Sequence, residues 1–204
     1  MKGKISMGCG VAIAIVIILG IIIYSYVTKS YNNMVQMEEN VKEKWSQVEN
    51  VYQRRADLIP NLVETVKGYA AHEKDTFTAV TEARSKAKGT FNISEKVLND
   101  PAAFQKFQQA QDGLSSALQR LMVVVERYPD LKANQNFLSL QDQLEGTENR
   151  IAVERRRFNE VAREFNTYIK KFPRMFLARI FGFNEKSYFQ ATEGADKAPE
   201  VKFN

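Results

Sequence analysis

The sequence predicts an all-α protein, an N-terminal transmembrane helix followed by an antiparallel up-and-down four-helix bundle. Three observations carry that reading. An uncharged stretch runs from Ile5 to Thr28, apolar residues recur at helical spacing along most of the remaining chain, and short breaker-rich segments cut that pattern into four. No stretch shows sustained strand alternation, and no repeat recurs at a solenoid period. With 204 residues, 44% hydrophobic and 26% charged, the chain has material for one domain-sized core plus appendages. The expected division is an anchor at 1–29, a bundle at 30–182 with an aromatic and basic segment at 170–183, and a mobile tail at 183–204, most of all from Gln190 onward. The "VKF" before Asn204 has the makings of a short recognition strand.

The anchor comes first. "VAIAIVIILGIII", Val11 to Ile23, is almost purely aliphatic and with its flanks is long enough to cross about 30 Å of hydrocarbon as a helix. It is long for a cleaved signal peptide, and no small-residue cleavage site stands between Ile23 and Lys29. Tyr24, Tyr26 and Lys29 read as its interfacial edge. Cys9 precedes the apolar run, so it is not placed as a lipoprotein cysteine would be. Lys2 and Lys4 lie before the span and Lys29, Lys42 and Lys44 after it; the closer, acid-free amino-terminal charges lean toward an inside amino terminus and an extracytoplasmic bundle.

The first bundle helix places Met34, Val41 and Val48 at one heptad position and Trp45, Tyr52 and Ile59 at another. Ile59-Pro60 disfavours helical geometry before the proline, and Asn61 can cap a new start, so this helix is expected to end there; a single kinked helix is the rival. The second runs from Leu62 to Ala87, with Leu62, Val66, Tyr69, Val80 and Ala83 on one side. "KGTFNIS" and "NDP" form a loop closed by an Asp100 cap and a first-turn proline. The third helix sets Phe107, Leu114, Leu121 and Tyr128 against Phe104, Leu118 and Val125, and "YPDLKA" ends it. In the fourth, Phe137, Leu144, Ile151, Phe158, Phe165 and Phe172 recur at heptad spacing with Leu140, Val161 and Tyr168 between them. From Leu131 to Phe172 that pattern would extend roughly 60 Å, against roughly 40 Å for the others. Part of the Phe137, Leu144, Ile151, Phe158, Phe165 seam is therefore expected to lie open and to draw copies of the chain together.

Extending the first seam by a heptad from Val48 brings Arg55 inward, and the fourth seam brings Thr147 and Glu154 inward. A buried guanidinium needs a carboxylate, and Glu64, Glu73 or Glu154 is the expected partner in a structural ion pair that fixes helix register. The competing reading is an enzyme working through Arg55, Glu64 and Glu73. Residue 76 is Thr76, so His72-Glu73 is no zinc-protease helix; one histidine cannot furnish a di-iron bundle; and glycine-rich phosphate loops are absent, "GCG" lying in the anchor and "EGT" on a helix. His72 is expected at the surface or a helix end. The net charge of +5 is modest, and "RRR" at 155–157 cannot share one helix face, so nucleic acid is not expected as a partner. Neither a cofactor nor a small-molecule substrate is expected.

"KKFPRMFLARIFGF", Lys170 to Phe183, mixes basic residues with aromatics and aliphatics as an interfacial membrane segment does. Phe172, Arg174, Phe176, Leu177, Arg179, Ile180 and Phe181 are the lipid-contacting candidates, with a cap over the bundle end as the alternative. Four antiparallel passes return the chain to the membrane end at this segment.

Several blocks in order resemble the LemA family: "YNNMVQMEENVKEKWSQVENVYQRRADLIPNLVETVKGYAAHE", "ERYPDLKANQNFLSLQDQLEGTENRIAVERRRFNEVAREFNTYI" and "FPRMFLARIFGF". The resemblance covers the chain from the span to about Phe189. It implies a membrane-anchored helical bundle of bacteria, a link to membrane biogenesis through a relative in magnetosome-forming bacteria, and an internal bundle, opposite to the charge reading. It implies no reaction and no catalytic residues. The expected protein is thus a single-pass, inner-membrane scaffold whose partners are the bilayer, further copies and other membrane proteins.

Overall fold

The computed structural model describes residues 7–91 and 94–190, and among these every regular element is helical. The first, α1 (Met7–Lys67), is one unbroken helix that carries the apolar run and then the whole first wall of the bundle. Pro60 lies inside it, so the expected stop at Ile59-Pro60 is corrected and the segment Leu62–Lys67 belongs to α1. The physical reason is visible at the carbonyl the proline orphans. Proline has no N–H to offer the Ala56 oxygen; Arg84 Nε donates to that oxygen instead, at 2.6 Å. Asn61, expected as a cap, sits within the helix.

After a turn through Gly68–Glu73 the chain reverses into α2 (Lys74–Gly89). The expected loop before Pro101 contains a short helix, α3 (Ser94–Asn99), because Val97 and Leu98 are pulled into the core. Asp100 caps α4 (Pro101–Val125) as its sequence predicts, accepting from the Ala102 N–H at 2.9 Å with Pro101 in the first turn. "YPDLKA" makes a separate single turn, α5 (Pro129–Lys132), and Asn134 then caps α6 (Gln135–Lys170) by accepting from the Phe137 N–H. A last helix, α7 (Arg174–Phe181), closes at Gly182 in the left-handed conformation, a φ of 78° that glycine adopts without a Cβ penalty.

α6 packs along α1, and α2 packs on α4, giving the up-down-up-down bundle. Two apolar clusters fill it. The cluster next to the apolar run, called the membrane-end cluster after the reading of that run as a candidate span, joins α1 from Met34 to Tyr52, the start of α4, the end of α6, α3 and α7. The distal cluster joins α1 from Ile59 to Val66 with α2, the end of α4, and Phe137 and Leu144. Phe137, Leu144, Ile151, Phe158 and Phe165 are all buried in these clusters. The expectation that this seam faces a second copy is thereby corrected: α1 and α4 of the same chain cover it. Phe172 alone of the heptad series is exposed, because the helix has ended.

The expected mobile tail is also corrected in part. Residues 183–190 run back over the bundle in extended form, with Lys186 and Phe189 buried. Side-chain amides hold the strap as a strand neighbour would. Asn166 donates to the Lys186 carbonyl and accepts from its N–H, both at 2.8 Å, and Asn159 does the same for Phe189 at 2.9 Å. The remaining tail, with "VKF", lies outside the described residues.

Candidate functional site

Between the two apolar clusters lies a polar layer centred on Arg55, whose burial agrees with the heptad reading. Its guanidinium donates through Nη1 to Ser115 Oγ and Glu148 Oε1, both at 2.9 Å, and through Nη2 to Gln111 Oε1 at 2.6 Å and the Gln111 carbonyl at 3.2 Å. Arg55 Nε is buried without an acceptor, while the guanidinium lies 4.9 Å from the Tyr52 ring centre. One arginine on α1 thus ties α1 to both α4 and α6.

The partner is Glu148 and none of the three expected acids. Glu64 is exposed and pairs with Lys67; Glu73, at the distal turn, accepts from Arg127 and Tyr128; Glu154 pairs with Arg157 on its own helix. The enzyme reading built on Arg55, Glu64 and Glu73 is corrected with them, since those residues do not converge. Glu148 stands beside the seam residue Thr147, which is itself buried and bonded back to the Gln143 carbonyl. The seam spacing alone therefore passed over it.

Tyr52 borders the layer. Arg155 Nε donates to its hydroxyl and Arg155 Nη2 to Asp112 at 3.4 Å. Burial pushes the phenol up from 10.0 to about 12, against the opposing pull of Arg155 and Arg55. Above this layer a groove of about 810 Å³ opens between α4 and α6, with Arg55 at its floor and Leu118, Met122 and Val123 on one bank. His72 is exposed in the distal turn. Among the described residues no group of three or more His, Cys, Asp or Glu side chains is placed to hold a metal ion.

The second candidate surface is the end of the bundle next to the apolar run. Val11 to Ile23 are exposed along α1, as are Tyr24, Tyr26 and Lys29, and the bundle begins at buried Ser30. α7 packs against this point through Phe181, whose ring centre lies 4.9 Å from that of Tyr31, and Phe183 stands 5.9 Å from the same ring. Ala178 and part of Leu177 face the core, and Arg174 stacks 4.1 Å above Tyr168. Phe172, Phe176, Arg179 and Ile180 face outward.

The family model of the LemA family matches residues 44–203, which take in most of the bundle and the closing helix α7. The chain belongs to the LemA family. Among curated relatives of this LemA-family chain, "Magnetosome protein MamQ 2" of Paramagnetospirillum magneticum is 33% identical over 81% of this chain and 66% of its own length. "Magnetosome protein MamQ" of Magnetospirillum gryphiswaldense matches at the same identity and coverage, 33%, 81% and 66%. "Protein LemA" of Metamycoplasma hominis is 25% identical over 87% of this chain and 76% of its own. This LemA-family chain thus spans 66% of the length of the magnetosome relatives it matches.

Proposed function

We propose that this LemA-family protein is a single-pass scaffold of the bacterial inner membrane that holds a rigid helical bundle at the bilayer surface and gathers further copies and other membrane proteins there. The observation that carries the reading is the continuity of α1: the exposed apolar run and the buried wall of the bundle are one helix, so anchor and platform move together. The relatives named as magnetosome proteins support a role in organising or building membrane. With the α6 seam consumed inside the chain, assembly uses other surfaces. Light scattering on the detergent-solubilised or lipid-reconstituted full chain is expected to give a discrete oligomer, resolvable by cryo-microscopy. A monomer at concentrations far above cellular ones overturns the assembly part.

The charge reading puts the bundle on the extracytoplasmic side. A Cys9→Ala, Val123→Cys chain should then react with an impermeant maleimide on intact spheroplasts, Val123 being well exposed on α4. Reaction only after lysis would place the bundle inside.

A further inference from the structure

α7 is too short, at eight residues, to be stable alone, yet the bundle holds it in a fixed orientation. Its inner face is clamped by Arg174 on Tyr168, by buried Ala178 and by Phe181 on Tyr31. Its outer face carries Phe176 and Ile180, exposed by 54% and 74%, and Phe172, in the turn just before it, is exposed by 78%. Phe172 and Phe176 rest edge to face, 5.9 Å between ring centres, so they form one patch rather than scattered apolar residues. Lys171 and Arg179 are exposed at its rim, while Lys170 is engaged with Glu185 at 2.6 Å.

The height of this patch follows from α1. Tyr31, against which α7 packs, lies three residues beyond Thr28, about 4.5 Å further along the helix axis. An α1 that spans the bilayer therefore carries α7 at the headgroup level. We infer that the outer face of α7 and the turn before it, centred on Phe172, Phe176 and Ile180 and rimmed by Lys171 and Arg179, form a preformed lipid-binding surface that inserts into the interface of a bilayer rich in anionic phospholipid. Apolar side chains seek the acyl boundary and the cations the negative headgroups. The α1 span would leave the bundle free to tilt and swivel; a second contact beside it fixes both. The inference rests on the anchored-scaffold reading and narrows the lipid-contacting candidates of Lys170 to Phe183, since Arg174, Leu177 and Phe181 pack on the bundle instead.

The test uses the full chain in vesicles with dibrominated acyl chains, of phosphatidylcholine alone or mixed with phosphatidylglycerol. Phe176→Trp places an indole on the outer face, and Val123→Trp places one near the distal end; Trp45 is buried and common to both. Strong quenching is expected for the first in the mixed vesicles and none for the second. In that background Lys171→Gln with Arg179→Gln should remove most of the quenching in mixed vesicles. Amide hydrogen exchange of residues 174–181 in the unsubstituted chain, slower in mixed than in neutral vesicles, reads the same contact without a substitution. A chain that resists alkaline extraction yet shows neither quenching nor slowed exchange overturns the α7 inference alone and leaves this patch to a second copy or another protein. Equal quenching in both vesicle types overturns the anionic preference. A chain that alkaline extraction removes from the vesicles overturns the anchored reading itself.

Discussion

Arg55 and Glu148 are unequal partners: the arginine side chain is 2% exposed and the glutamate 40%. Removing either therefore has a different cost. Glu148→Ala leaves a buried guanidinium without its counter-charge, with only the neutral oxygens of Ser115 and Gln111 as acceptors, which should cost about 3–5 kcal/mol. Arg55→Met fills the space with apolar atoms, and the abandoned carboxylate can turn to water; what loses its donor is Gln111 Oε1, so the loss should be about 1–3 kcal/mol. Chemical denaturation of the two variants checks the order, and a reversed order would remove the pair from its place as register device. Tyr52 supplies a pH dependence. Its folded-state pKa lies above the unfolded one, so the stabilisation from holding the neutral phenol is complete below about pH 10 and is lost as the pH rises through about 12. The gap in stability between the parent and Tyr52→Phe should accordingly shift toward the variant between pH 9 and 12, by on the order of 2 kcal/mol. A constant gap would show that the phenol is not held neutral by burial. The inward aim of Arg55 was legible from heptad spacing. Its partner was not, because the pairing depends on how far α6 slides along α1, which a one-helix pattern does not encode.

At the scale of elements the same limit appears. The long apolar N-terminal run, the Asp100 cap and the three long apolar seams were readable, because each is written within one helix. Pro60 was misread because the group that rescues its orphaned carbonyl is Arg84, on another helix. The proline and the arginine should therefore be coupled. In the parent, Arg84→Ala leaves the buried Ala56 carbonyl without a donor at that position, at a cost of about 1–2 kcal/mol. With Pro60→Ala in place, residue 60 offers its own N–H to that oxygen, and the same Arg84→Ala change should cost about 1 kcal/mol less. A double-mutant cycle measures the difference. Strict additivity would mean that Arg84 is a surface contact and that α1 passes its proline by some other means. The strap at 183–190 escaped the sequence reading for a related reason: its amide partners, Asn159 and Asn166, lie on α6 and carry no local signal of an extended neighbour.

The whole molecule is a bundle with a polar layer across its middle, and the strap closes only one half. Phe189 packs among Trp45, Phe104, Phe107 and Phe158, joining α1, α4 and α6 in the membrane-end cluster. Lys186, three residues before it, pairs with Glu38 at 2.6 Å and bonds Asn99 at 2.7 Å, so the strap also pins α3 to α1. The distal half is closed differently, by Asn134 donating to the Tyr69 hydroxyl at 2.9 Å and by Arg127 pairing with Glu73 at 2.9 Å. Polar groups at the junction break the apolar continuity through which strain would pass from one half to the other. Phe189→Ala should thus cost about 3–5 kcal/mol in the membrane-end half. Its amides on α3, the start of α4 and the end of α6 should exchange faster, while those of α2 and the end of α4 keep their protection. Exchange that rises evenly through both halves would show that Arg55 couples the clusters into one cooperative unit. Confinement to that half would make the part that carries α7 separately adjustable while the distal half stays rigid.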